Sequence, residues 1–574
     1  MPLPDWTKSY APGVQGKIPP PSHASFPAML RDVAGLYKDK PAFSLCLPNG
    51  FSATLSFAQC DALSDAFAAY LREGLKLQPG DRVAVQLPNC MDTPIAVYGI
   101  LKAGLVLVNT NPLYTVTEMQ HQFADSGAKA LVIVDLFGDK VKEAIQGTQV
   151  EHVILASVTD FLPPLKRWLA SFVLKFVKKQ VKSCAVPHNS MGAALAQGRS
   201  ALAKGAKAAD WSAGLTLDSL AVLQYTGGTT GVTKGAMLSH GNLLWNIEEL
   251  AEFGKVEIHK GEETLLVPLP LYHVFAFTVH LGLFHRSGCH NVLIPSPRPM
   301  SNLKEPFKRF PITWMTGVNT LYTALLNERW FNDDPPRYLR VPVAGGASLH
   351  SAVADQWKQL LGTTVYEGYG LTEASPVLCF NPIGGEVRLG TIGVPIPQTE
   401  IRLLDDQNNE VGEGAPGELC ARGPQVMLGY WQRPDETAKT IIDGWLHTGD
   451  IVVIDKDGYL KIVDRKKEMI IVSGFKIFPN EVEECLSSLE GVLESGVIGV
   501  PSGETGETVR AYIVCKPGVT LTIEQVREHC KKSLTSYKVP KQVKFVTELP
   551  KSNIGKILRK DLRAMALAES AAKK

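Results

Sequence analysis

Cysteine pairs at metal-ligand spacing are missing from this 574-residue chain: its ten cysteines are scattered, and no Cys-x-x-Cys occurs. That argues against a cysteine-built metal site or a disulfide framework, and it fits a reducing, cytoplasmic compartment. An excess of one charge is missing too, since 59 Lys and Arg against 57 Asp and Glu leave a net +2. No global field points to nucleic acid, so an electrostatic partner must be met by local patches. No run approaches roughly 18 uninterrupted apolar residues. The first twenty residues are polar and rich in Pro and Gly, without a charged start and an apolar core. Neither a spanning helix nor a signal peptide is expected. The end, Ala571-Ala572-Lys573-Lys574, carries no peroxisomal or prenylation signal.

What is present is ordinary globular material, 45% apolar and 20% charged, in a chain long enough for two or more domains. From about Leu55 helical and strand periods alternate. Ala62, Ala66, Tyr70 and Leu71 suit one helix face, while Arg82–Leu87, Leu131–Val134 and Val153–Ala156 read as strands. This is an α/β pattern, with a largely parallel sheet covered by helices. Between about 391 and 431 short strands broken by Gly and Pro suggest a small β-barrel subdomain. After Asp464 follow a helix near Asn480–Leu489, strands near Val497 and Ala511–Cys515, and a helix over Thr522–Ser533. The expected organisation is an extension over 1–25, a large N-terminal domain over 26–465, and a small α+β C-terminal domain over 466–574.

One segment stands apart. Leu165, Trp168, Leu169, Phe172, Val173, Phe176 and Val177 repeat at helical spacing. Lys166, Arg167, Lys175, Lys178, Lys179 and Lys182 surround them, with no acidic residue over 165–182. A cationic amphipathic helix can lie in an anionic membrane interface, each basic residue adding about 1 kcal/mol. The same periodicity suits a surface helix whose stripe faces the core.

The richest local chemistry is Tyr225-Thr226-Gly227-Gly228-Thr229-Thr230-Gly231-Val232-Thr233-Lys234-Gly235, which follows a strand-like run at Leu220–Leu223 and precedes a helix from about Ser239. Glycines let backbone N–H groups turn inward, threonine hydroxyls add donors, and a lysine supplies a point charge, as a phosphate-holding loop requires. Lys234 stands three residues after Gly231, so the Gly-Lys-Ser/Thr of a Walker loop is not formed. Further on, Ala344–Leu349 is small and flat enough to back a planar base. Tyr366–Glu373 gathers an aromatic ring, a hydroxyl and a carboxylate. His447–Asp450 puts a carboxylate in a turn, and Pro550–Lys556 ends on a loop lysine.

Taken in order, these motifs, with Pro270–Ala276, Gly417–Trp431 and Asp464–Glu483, resemble the adenylate-forming superfamily over about residues 26–560. The likeness is strongest to bacterial long-chain fatty-acid–CoA ligases. The resemblance implies a two-step reaction that uses ATP, Mg²⁺, coenzyme A and a long-chain fatty acid, with a mobile C-terminal domain. It implies that Thr226, Gly227, Gly228, Thr230, Gly231 and Lys234 hold phosphate, and that Thr229 and Glu373 hold Mg²⁺. Gly346, Ala347, Gly368 and Tyr369 would frame adenine, Thr372 would meet the α-phosphate, and Asp450 and Arg465 the ribose. Lys556 would be the catalytic lysine, His273 a gate, Lys467 the hinge, and Gly474, Phe475 and Lys476 the pantetheine tunnel. Trp314–Asn319 and Gly345 offer apolar walls, and no acid follows His273 within Val274–Gly282 to hold a substrate amine. A different carboxylic acid, or loading of a carrier protein, stays open as an alternative. A homodimer and a peripheral seat on the inner face of the membrane stay open as well.

Overall fold

The computed structural model describes residues 5–226, 233–473, 475–502, 505–552 and 555–571. Its large unit is built on two sheets. In the first, strands run in the order Gly429–Tyr430, Lys234–Ser239, Leu220–Thr226, Val106–Asn109, Arg82–Gln86, Ala128–Val134, His152–Ala156 and Asn189–Ser190. From Leu220–Thr226 outward the pairing is parallel. Its central strands are apolar runs buried on both faces, as a helix-covered parallel sheet requires. The second sheet centres on the parallel strands Thr264–Val267, Trp314–Gly317, Val341–Ala344 and Tyr366–Gly370. Helices Phe57–Ala69, Asp92–Lys102 and His240–Phe253 share one continuous core with both sheets. Ser239 and Asn242 close a capping box on the last of these, which fixes where the chain leaves the hairpin strand.

The antiparallel unit is larger than the span 391–431 expected for it. Its strands are Glu400–Leu404, Gly417–Arg422, Ile441–Ile442, Trp445–Ile454 and Leu460–Arg465, while Gly429–Tyr430 leaves to pair with Lys234–Ser239. The extension comes from a tight hairpin. The Asp455 carboxylate accepts from the N–H groups of Asp457 and Tyr459, and Gly458 takes φ +89°, so the sheet continues to Arg465. The N-terminal segment is tied down rather than free-standing. Trp6 Nε1 donates to the Gly458 carbonyl at 2.8 Å, and Tyr10 Oη to the Pro395 carbonyl at 2.7 Å.

Beyond Arg465, strands Ile470–Val472, Phe475–Ile477, Val492–Ser502, Gly506–Cys515 and Gln542–Phe545 form a sheet with helices Pro479–Ser487, Ile523–Ser533 and Arg559–Ala571. This unit has its own core, including Ile470, Leu486, Val497, Ile513 and Val526. The segment at 165–182 is helical over Pro164–Phe172, widens over Val173–Val177, and stops before Lys179, whose φ is +51°. Among the described residues no helix is long and apolar enough to cross a membrane.

Candidate active site

The turn Thr372–Ala374, at the carboxyl end of parallel strand Tyr366–Gly370, packs on the first sheet's hairpin of Leu220–Thr226 and Lys234–Ser239, and strand carboxyl ends are the usual place for ligands in α/β sheets. In that hairpin Thr226 lies opposite Lys234, and its hydroxyl donates to the Lys234 carbonyl at 3.5 Å. The expected phosphate ligands Gly227, Gly228, Thr230 and Gly231 and the expected Mg²⁺ ligand Thr229 lie outside the described residues, as does Gly474. The stem is held from behind: Tyr225 Oη donates to Asp125 at 2.7 Å, and Arg433 pairs with the same carboxylate at 3.0 Å. The Lys234 ammonium pairs with Glu436 at 2.8 Å and sits 4.6 Å over the Tyr430 ring. Tyr430 Oη in turn donates to Glu373 Oε1 at 2.6 Å.

The second wall comes from the loop after Val341–Ala344 and from strand Tyr366–Gly370. Gly346 takes φ +77°, which lets the backbone turn flat beside Ala347. At Gly368 a Cβ would lie 2.4 Å from the Phe380 ring, so only glycine leaves both the ring and the strand in place. Tyr369 Oη donates to Asp450 Oδ2 at 2.6 Å, and Arg465 meets Asp450 Oδ1 at 3.2 Å from its place opposite in the ladder. Burial, and next the Asp450 charge, push the Tyr369 phenol well up, so it remains a donor. Thr372 and Glu373 occupy a single turn at the end of this strand, where the Glu373 carbonyl accepts from Met427 N–H at 2.8 Å.

The third wall is Lys556, from the small unit. Thr320 Oγ1 donates to the Gly555 carbonyl at 3.0 Å, and the Ser552 hydroxyl accepts from Lys556 N–H at 3.1 Å. Burial, then the neighbouring Arg465 charge, push the Lys556 ammonium down to about 8, while Asp450 opposes the shift. His273 caps the short helix Val274–Ala276, its Nδ1 accepting from Phe275 N–H at 3.4 Å. Burial, then the charge of Lys556, push its imidazole down to about 4, so it is neutral.

Thr226, Lys234, Glu373, Tyr369, Asp450, Arg465 and Lys556 therefore frame one cleft. Phe475 and Lys476 are not part of it. Phe475 is 55% exposed and stacks on Tyr537 at 4.7 Å, and Lys476 pairs with Asp406 at 3.0 Å. Lys467 follows the last strand of the antiparallel unit, and burial, then Arg465, push its pKa down. Sequence reasoning gave no role to Tyr430, Glu436 or Thr320. Tyr430 stands inside the motif Gly417–Trp431, but its partner, Glu373, is far away in the chain.

Two family models match the chain: AMP-binding enzyme over residues 30–431, and AMP-binding enzyme C-terminal domain over 481–556. A long-chain-fatty-acid–CoA ligase of Escherichia coli O157:H7 is 46% identical over 559 residues, 97% of each chain. One from Bacillus subtilis is 37% identical over 569 residues, again 97% of each. Among solved structures, ATP-bound MatB from Rhodopseudomonas palustris superposes with a TM-score of 0.79 at 28% identity, covering 94% of this chain and 98% of its own. With more than half of its length matched by the first of these models, and with such relatives alike from end to end, the chain belongs to the AMP-binding enzyme family.

Proposed function

We propose that the protein activates long-chain fatty acids to acyl-CoA in two half-reactions. In the first, a carboxylate oxygen bonds to the α-phosphorus of ATP as the bond to the pyrophosphate oxygen breaks, leaving an acyl-adenylate. In the second, the coenzyme A sulfur bonds to the acyl carbon, its proton is lost, and AMP departs. The observation that carries this reading is the 3.0 Å hydrogen bond from Thr320 of the large unit to the Gly555 carbonyl, which seats the Lys556 loop of the small unit against the large one. An ammonium there opposes the charge that gathers between carboxylate and phosphate, which is the main help such transfers need.

The other residues divide the remaining work. Asp450, steadied by Tyr369 and Arg465, accepts from the ribose hydroxyls. Gly346, Ala347, Gly368 and Tyr369 frame the base, and Thr372 meets the α-phosphate. Thr226 to Lys234 hold the outer phosphates. The Glu373 carboxylate is a hard oxygen donor beside the phosphate-side lysine, which fits Mg²⁺, with Thr229 as its partner. Bound there, the ion neutralises phosphate charge. Neutral His273 gates the passage between the halves. The small unit then turns about Lys467 to bring Gly474, Phe475 and Lys476 to the pantetheine arm. The fatty acid is favoured by the relatives' names, by apolar walls at Trp314–Gly317, and by the absence of an acid over Val274–Gly282.

ATP, palmitate and coenzyme A should give palmitoyl-CoA, AMP and pyrophosphate. Lys556→Ala should lose adenylate formation by about 10²-fold or more, as for loss of a preorganised charge. It should still convert a supplied palmitoyl-adenylate. Equal loss of both halves would remove Lys556 from this role, and transfer to a carrier protein but not to coenzyme A would favour the alternative reading.

A second reading concerns place. We infer that residues 165–182 rest on a bilayer that carries anionic lipid. No residue of Pro164–Val177 is buried, Trp168 is 62% and Phe176 60% exposed, and Trp168, Phe172 and Phe176 form one aromatic row. Sedimentation with phosphatidylglycerol vesicles, but not with phosphatidylcholine vesicles, is expected. It should be lost in Lys175→Glu/Lys178→Glu/Lys179→Glu. Binding that ignored lipid charge would overturn the reading.

A further inference from the structure

Glu373 does not stand alone in the cleft. Its carboxylate takes a 2.6 Å hydrogen bond from Tyr430, and its carbonyl a 2.8 Å bond from Met427 N–H. The segment 427–437 thus grips Glu373 by main chain and side chain together. Tyr430 is itself fixed from three directions. It is 6% exposed, it pairs with Ala236 in the ladder, and its N–H donates to Thr437 Oγ1 at 2.9 Å. The Lys234 ammonium lies 4.6 Å over its ring, and Glu436 holds that ammonium at 2.8 Å. A ring clamped in this way has little freedom to swing, so the position of its hydroxyl is set by the scaffold.

We propose that Tyr430 is the positioning residue for Glu373, holding Oε1 so that the carboxylate faces the metal-bearing phosphates in one orientation. This rests on the reading of Glu373 as a magnesium ligand. A ligating carboxylate left to rotate would lose part of its affinity to the ordering of its own side chain, and second-layer hydrogen bonds of this kind cost about 10- to 100-fold in metal affinity when removed. The Lys234 charge over the ring ties the same clamp to the phosphate side, so metal ligand and phosphate ligand are braced by one side chain.

The test uses the full-length protein with Mn²⁺ as the probe, read by electron paramagnetic resonance in the presence of ATP, beside ATP binding in EDTA. Tyr430→Phe keeps the ring under Lys234 and removes only the hydroxyl. It should weaken Mn²⁺ about tenfold while leaving metal-free ATP binding within about twofold and the melting temperature nearly unchanged. Glu373→Gln should weaken Mn²⁺ more, and the double variant should be no worse than Glu373→Gln alone. If Glu373→Gln loses Mn²⁺ but Tyr430→Phe binds it like the parent, the positioning role is overturned. A Tyr430→Phe defect shared equally by metal-free ATP would mean a purely structural role and would overturn it too. If Glu373→Gln itself keeps Mn²⁺, the reading of Glu373 as ligand fails first, whatever Tyr430 does.

Discussion

Thr320 of the large unit donates to the Gly555 carbonyl at 3.0 Å, one residue before Lys556. Gly555 takes φ +84°, and a Cβ there would come within 2.6 Å of the Thr320 hydroxyl, so the two residues fit only as they are. Across this contact the large unit holds the lysine's loop in its cleft. Thr320→Val removes one hydrogen bond worth roughly 1 kcal/mol. We expect adenylate formation to slow about fivefold while conversion of supplied acyl-adenylate is unchanged. Pyrophosphate exchange and single-turnover thiolysis measure the two separately.

The Lys556 shift gives a pH dependence with a definite sign. Its ammonium is pushed down to about 8, so the charged form dominates below that pH and is lost above it. kcat/KM reports the free enzyme. Its value for adenylate formation should therefore fall as pH rises through about 8, although an ordinary lysine would stay charged to about 10.4. Lys556→Arg, charged throughout, should flatten that limb even if its overall rate is lower. A profile unchanged in Lys556→Arg would assign the limb to another group.

How much of this was legible in the sequence follows from how local each signal is. The α/β alternation was readable because buried parallel strands such as Ala128–Val134 are apolar at nearly every position. The residues proposed for the nucleotide stood out because they fall in short motifs, most of them near strand ends, although Asp450 lies inside Trp445–Ile454. Tyr430 on Glu373, Glu436 on Lys234 and Thr320 on Gly555 were not. Each pairs residues far apart in sequence, and a lone Tyr, Glu or Thr carries no periodicity. The amphipathic stretch at 165–182 showed its period but not its end. The helix stops early because the left-handed Lys179 turns the chain, and Lys182 N–H then donates to the Asp135 carbonyl at 3.1 Å. The antiparallel unit was cut short because its last strands, Trp445–Ile454 and Leu460–Arg465, are long and carry polar residues on their open face.

Phe475 and Lys476 lie away from the cleft, and the pair Lys476–Asp406 bears on that arrangement. Asp406 meets Lys476 at 3.0 Å and Lys466 at 3.4 Å, and these two cations hold its carboxyl below the ordinary range. Lys476 belongs to the small unit, so the turn about Lys467 proposed above, which would bring Lys476 to coenzyme A, must break its half of the contact. Both partners are about half exposed, and such surface pairs are worth no more than about 1 kcal/mol and are screened by salt. Asp406→Asn should therefore shift the balance toward the thiol-accepting arrangement by about two- to fivefold. In stopped-flow assays the variant should transfer a supplied acyl-adenylate faster, and added salt should speed the parent but not the variant. Equal salt responses in the two proteins would show that this pair does not hold the units together.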